Sequence, residues 1–101
     1  MMGHLYYGSR QHHVTFDDRL LWHIKLVVVA KLRRQENFTF SWIDNTTGGL
    51  TCIWIHPQCD LIFEFGTTQE QNINKAWLDS LMQSANTTGG MHVITEPTEA
   101  T

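Results

Sequence analysis

The sequence is short of most features that mark a specialised class. It has 2 cysteines and 2 prolines, and its 7 Lys and Arg are outnumbered by 10 Asp and Glu, for a net charge of −3 with the 6 His neutral. Cys52 and Cys59 allow a single bridge. Small secreted domains usually carry more, so the pair is expected to stay as free thiols in a reducing compartment. The charge balance supplies no global field to draw the chain onto nucleic acid or an anionic membrane. The longest apolar run, Leu26 to Ala30, is far too short to span a bilayer. The N-terminal stretch Met1-Met2-Gly3-His4-Leu5-Tyr6-Tyr7-Gly8 lacks the basic and apolar regions of a secretory signal. A cytoplasmic chain without a membrane partner is expected.

Chemical signatures are equally scarce. There is no Gly-x-Gly-x-x-Gly, no Walker A run and no nucleophile elbow. Cys52, His56 and Cys59 resemble metal ligands, but their spacing matches no familiar finger and the local sequence places no fourth ligand. His12, His13, His23 and His92 are scattered, and a lone His is more often a hydrogen-bonded structural residue than a base or ligand. The expectation is therefore no catalytic residue, no cofactor and no metal.

What the chain does have is globular. With 101 residues, 42% hydrophobic and 17% charged, it fits one domain, expected over 1–96, with a polar tail at 97–101. Leu5 and Tyr7, a turn at Gly8-Ser9-Arg10-Gln11, then Val14 and Phe16 read as a β-hairpin. Asp17 and Asp18 suit a helix N-terminus, and Lys31, Arg33 and Arg34 suit its C-terminus. A first helix is expected from Arg19 to about Arg34, with a strand at Val27-Val28-Val29 as the rival reading. Phe38, Phe40 and Trp42 alternate with polar residues. Leu50 to His56 is apolar on both faces, and Leu61, Phe63 and Phe65 alternate again, so three strands are expected to form an antiparallel meander. Asn72 or Asn74 caps a second helix carrying Ile73, Trp77, Leu78, Leu81, Met82 and Ala85 on one face, and Met91 to Thr95 is a short last strand. The fold class is α+β: one two-layer domain of order β-β-α-β-β-β-α-β, with a mainly antiparallel sheet and two helices on one face.

Two features point outward. On the first helix, Leu20, Leu21, Ile24, Val27, Val28 and Leu32 form a stripe sufficient for packing on the sheet, while Trp22, Leu26 and Val29 fall on the opposite side. Their expected cover is a second subunit, most simply in a two-fold dimer; the internal alternative is the second helix or the C-terminal segment. Lys31, Arg33 and Arg34 form the one basic cluster. It complements the helix dipole or, on the second reading, contacts an anion or nucleic acid.

A resemblance covers nearly the whole chain. Phe16-Asp17-Asp18-Arg19-Leu20-Leu21, Lys31-Leu32-Arg33-Arg34-Gln35-Glu36, Phe38, Ser41-Trp42, Ile53-Trp54-Ile55-His56-Pro57, Asn74, Trp77, Leu81, Ser84-Ala85-Asn86 and Glu96-Pro97 resemble a family of short actinobacterial proteins of unknown function. Many of these carry the label ATP-dependent DNA ligase. A nucleotidyl-transferring ligase needs the Lys of a Lys-x-Asp-Gly motif, and Lys25, Lys31 and Lys75 all lie in other contexts. A chain this short also cannot build a nucleotide pocket, a metal site and a DNA-encircling surface together. Ligase activity is rejected, and two function classes remain: a non-catalytic, self-associating interaction module, or a nucleic-acid-associated accessory protein.

Overall fold

The computed structural model describes residues 1–9 and 12–98. Arg10 and Gln11 of the expected hairpin turn, and the last three residues of the expected tail, lie outside the described residues. The element order is as expected: β1 (Met2–Tyr7), β2 (His12–Asp17), α1 (Asp18–Arg33), β3 (Phe38–Ile43), β4 (Leu50–Ile55), β5 (Leu61–Glu64), α2 (Lys75–Ala85) and β6 (Met91–His92). The chain is an α+β domain with mainly antiparallel strands. No helix among the described residues is long and apolar enough to cross a membrane.

Local chemistry sets the helix ends. Asp17 accepts a hydrogen bond from the Arg19 N–H and so caps α1. At the other end the Glu36 N–H reaches the Lys31 carbonyl and the Gln35 N–H the Leu32 carbonyl, closing the helix in a Schellman motif. Asn74 caps α2 by accepting from the Trp77 N–H at 3.2 Å, so the nearer of the two candidate caps is used. Val27 and Val28 lie within α1 and are buried, which settles the strand alternative: length and caps outweigh a short β-branched run.

Strand pairing departs from the expected meander. The strands form two three-stranded sheets, in the orders β2-β1-β5 and β4-β3-β6. β5 leaves β4 after the turn at residues 56–60 and pairs with β1, Phe63 opposite Leu5 and Leu61 opposite Tyr7. The physical reason is that β1 and β2 alone are a two-stranded hairpin, marginal in water, whereas a third strand and a covering helix make a stable sheet. β6 joins β3 in parallel, Phe40 opposite Met91.

The two sheets close on one core. Leu5 and Phe16 from the first sheet, Phe38, Phe40, Ile55 and Met91 from the second, Leu21, Ile24, Val27 and Val28 of α1, and Trp77, Leu81 and Ala85 of α2 are all buried together. Phe16 lies 6.0 Å from Phe40 and 6.1 Å from Trp42, ring centre to ring centre, so the sheets meet directly there.

A polar network straps the C-terminal segment across the starts of both helices. The fully buried His23 on α1 receives the Asn74 N–H on Nε2 at 2.9 Å. A backbone N–H only donates, so Nε2 carries no proton and Nδ1–H donates to the Arg19 carbonyl at 2.8 Å. The Asn74 amide donates to the Glu96 carboxylate and the Pro97 carbonyl, and Trp77 Nε1–H donates to the Ile94 carbonyl at 2.8 Å. Arg19 grips Glu96 through Nε and Nη2 and donates from Nη1 to the Asn72 carbonyl.

Hydrogen bonds from Arg19, then from Asn74, pull the Glu96 carboxyl from its ordinary 4.5 down to about 2. A depressed folded-state pKa means the unfolded chain takes up the proton first. The contribution of Glu96 is therefore complete above its ordinary value and is lost as the pH falls toward about 2. Thermal melts across that window are expected to show a steeper loss of Tm in the native protein than in Glu96→Gln. The variant should be the less stable near neutrality, and the two curves should converge at the acid end. Parallel curves would refute the strap as a source of acid sensitivity.

Candidate functional site

The split between the sheets leaves a cleft of about 1000 Å³. Its floor is Tyr7, Val14, Leu20, Trp42 and Ile53, all half-buried and packed against the core. Leu20 comes from α1, and the other four alternate along their strands with outward residues, as a one-sided floor requires. His12, Thr46 and Thr51 add polar groups. The Tyr7 hydroxyl donates to the Trp54 carbonyl and ties the two sheets together at one end of the cleft. Burial of that hydroxyl raises the tyrosine's pKa.

Among the described residues, the carboxylates on the lining are Asp17 and Asp44, and His12 and His13 also reach it. Asp44 accepts from both the backbone and the hydroxyl of Thr46, and these bonds hold its carboxyl below the usual range. Asp17 is engaged as the α1 cap. Two carboxylates and no Lys or Arg among the described lining residues suit a neutral or positively charged guest better than a phosphate.

The residues singled out from the sequence lie elsewhere. Trp22 packs edge-on against Phe65, 5.3 Å between ring centres, with the Lys25 ammonium 4.7 Å above its ring. Leu26 is half-buried, and Val29 is 37% exposed. Phe65, just after β5, thus covers part of Trp22, while Val29 stays exposed. In the basic cluster, Lys31 is buried, donates to Asn86 Oδ1 at 2.7 Å and pairs with Glu36 at 3.5 Å. It is withdrawn from any surface contact, and only Arg33 and Arg34 are exposed.

Cys52 and Cys59 are free thiols, Cys52 exposed on the outer side of β4 and accepting from the Ser41 hydroxyl at 3.1 Å. His56 Nδ1 accepts from the Gln58 N–H within its own turn. No group of three or more His, Cys, Asp or Glu side chains converges on a metal position among the described residues.

Sequence reasoning missed the cleft because none of its residues forms a local motif. The available signal was that Leu50 to Ile55 is apolar on both faces, which suggested a strand buried in mid-sheet. In the structure β4 is an end strand, and its outward side chains Leu50 and Trp54 are 65% and 51% exposed.

No curated protein and no solved structure matches the chain. Residues 2–96 match the family described as "Domain of unknown function (DUF7882)". That match takes in both sheets, both helices and the Glu96 strap, and the chain belongs to that family.

Proposed function

We propose that the protein is a non-catalytic binding module whose guest occupies the cleft between the two sheets. The carrying observation is the cleft itself: about 1000 Å³, with an aromatic and aliphatic floor and a few polar groups at its margin, the composition of a binding pocket. Its two carboxylates are engaged in a helix cap and a turn. The nucleic-acid alternative has less support, since Lys31 is buried and the described lining of the cleft carries no Lys or Arg. Screening a fragment library by NMR tests the reading. Amide shifts should concentrate at Tyr7, Val14, Trp42 and Ile53 and vanish in Trp42→Ala. Shifts confined to other surfaces would refute it.

Self-association, as a second reading, rests on a separate observation. Ile43 and Leu50 face each other across β3 and β4 on the side no helix covers, and Ile43, at 61% exposed, adds to the apolar surface of Leu50 and Trp54. This surface replaces Trp22, Leu26 and Val29 as the best-supported contact. Light scattering at micromolar concentration is expected to give twice the chain mass of 11.7 kDa. Leu50→Glu should return the monomer and Leu26→Glu should leave the dimer intact; a native monomer would end this reading.

A further inference from the structure

We infer that the guest of the cleft is an extended peptide segment of another protein, bound as an added strand between the free edges of β2 and β4. This rests on the reading of the cleft as the binding site and names its occupant.

The cleft touches six successive residues of β2, 12–17, and three successive residues of β4, 51–53. Successive side chains of a strand point to opposite faces, so a space lined by every residue in turn runs along the strand's edge. β2 and β4 are end strands of their sheets, and among the described residues neither has a backbone partner along its outer edge. Apart from the Trp54 carbonyl, which accepts the Tyr7 hydroxyl, both edges therefore offer N–H and C=O groups to the same space, the arrangement used in strand addition.

β4 is the edge that most needs a partner. Soluble proteins blunt exposed edges by shortness, charge or proline. β6 has 2 residues, β5 has 4 and ends on Glu64, and β2 carries Asp17 and two His. β4 runs for 6 residues, Leu-Thr-Cys-Ile-Trp-Ile, with none of these protections. Six residues span roughly 20 Å.

The same contacts orient the guest. Tyr7 is opposite His12 and bonds to Trp54, so the start of β2 lies beside the end of β4. Phe16 meets Trp42, which is opposite Thr51, so the end of β2 lies beside the start of β4. The two edges run antiparallel, and a strand between them pairs parallel with one and antiparallel with the other. Its inward alternate residues meet Val14, Trp42 and Ile53 and should be aliphatic or aromatic. A Lys or Arg belongs at the end flanked by Asp17 and Asp44.

Panning a phage-displayed library of random peptides on the full chain tests this. The enriched peptides should alternate apolar and polar residues with a basic residue at one end. A synthetic copy N-methylated at alternate residues should bind at least tenfold more weakly, since strand addition depends on main-chain hydrogen bonds. Bound peptide should slow amide exchange along 12–17 and 50–55. Enrichment without alternation, or affinity that survives N-methylation, would overturn the inference. Absence of any enriched peptide while fragments still bind the cleft would overturn it and leave the binding reading standing; no cleft binding of either kind would end both. A doubled mass with those amides protected in the absence of peptide would assign the cleft to a second copy of this chain.

Discussion

Replacing Asn74 with alanine is expected to lower the unfolding free energy by about 2–3 kcal/mol. The side chain does two separable things. Its oxygen caps α2, and loss of an Asn cap costs about 1–2 kcal/mol. Its amide donates to the Pro97 carbonyl at 3.0 Å, a neutral hydrogen bond of about 1 kcal/mol. Glu96 is left out of that sum because Arg19 still holds its carboxylate. In a domain near 100 residues the change corresponds to a fall in Tm of roughly 8–20 °C. Asn74→Asp separates the parts: it keeps the capping oxygen, loses both amide bonds and sets a second carboxylate against Glu96. It should be destabilised at neutral pH and recover relative to wild type as the carboxylates protonate. If Asn74→Ala melts within about 2 °C of the native protein, the capping and strapping roles are both wrong.

The strap also shows where reading the sequence reaches its range. Asn74, Trp77 and Glu96-Pro97 were legible as landmarks and the cap of α2 as Asn72 or Asn74, because capping is a relation over three residues. That His23, 51 positions upstream, fixes the cap's backbone was not legible, since no periodicity links a helical His to a loop N–H. The element order was readable because each strand and helix carries its own period and ends. Pairing was not, because the choice of β1 over β4 as the neighbour of β5 is a competition between distant surfaces. The same limit applies to Trp22, whose cover is Phe65, and to Lys31, whose acceptor is Asn86. In each case the residue's own character was evident and its partner was not. The candidate cleft follows from the pairing: had β5 joined β4, the outer edge of β4 would be spent and the space beside it closed.

Gly90→Ala is the second large effect, and its cause is steric. Gly90 sits at φ +80° immediately before β6, and a Cβ there would run into the Thr39 hydroxyl and stand 2.6 Å from the Thr39 carbonyl oxygen. The left-handed backbone alone costs an L-residue about 1 kcal/mol, and forcing a methyl group into close-packed surroundings adds about 1–3 kcal/mol. Rotating Thr39 relieves only the hydroxyl overlap, because the carbonyl belongs to β3 and is fixed by the sheet. The chain has one escape, to release β6 from β3. That exposes Met91, which is fully buried against Phe40, and burial of a methionine side chain is worth about 1.5–3 kcal/mol. The expected loss is therefore about 2–4 kcal/mol if the overlap is accommodated in place and about 1.5–3 kcal/mol if β6 is released. The routes differ in amide exchange: overlap accommodated in place leaves Met91 and His92 protected, and release of β6 opens them while β1, β2 and β5 stay closed. Thr39→Ala in the Gly90→Ala background should recover part of the loss and not all of it, since the carbonyl remains. Full recovery would place the whole conflict on the Thr39 side chain and refute the backbone overlap; a Gly90→Ala protein as stable as the native chain would refute the close approach of β6 to β3.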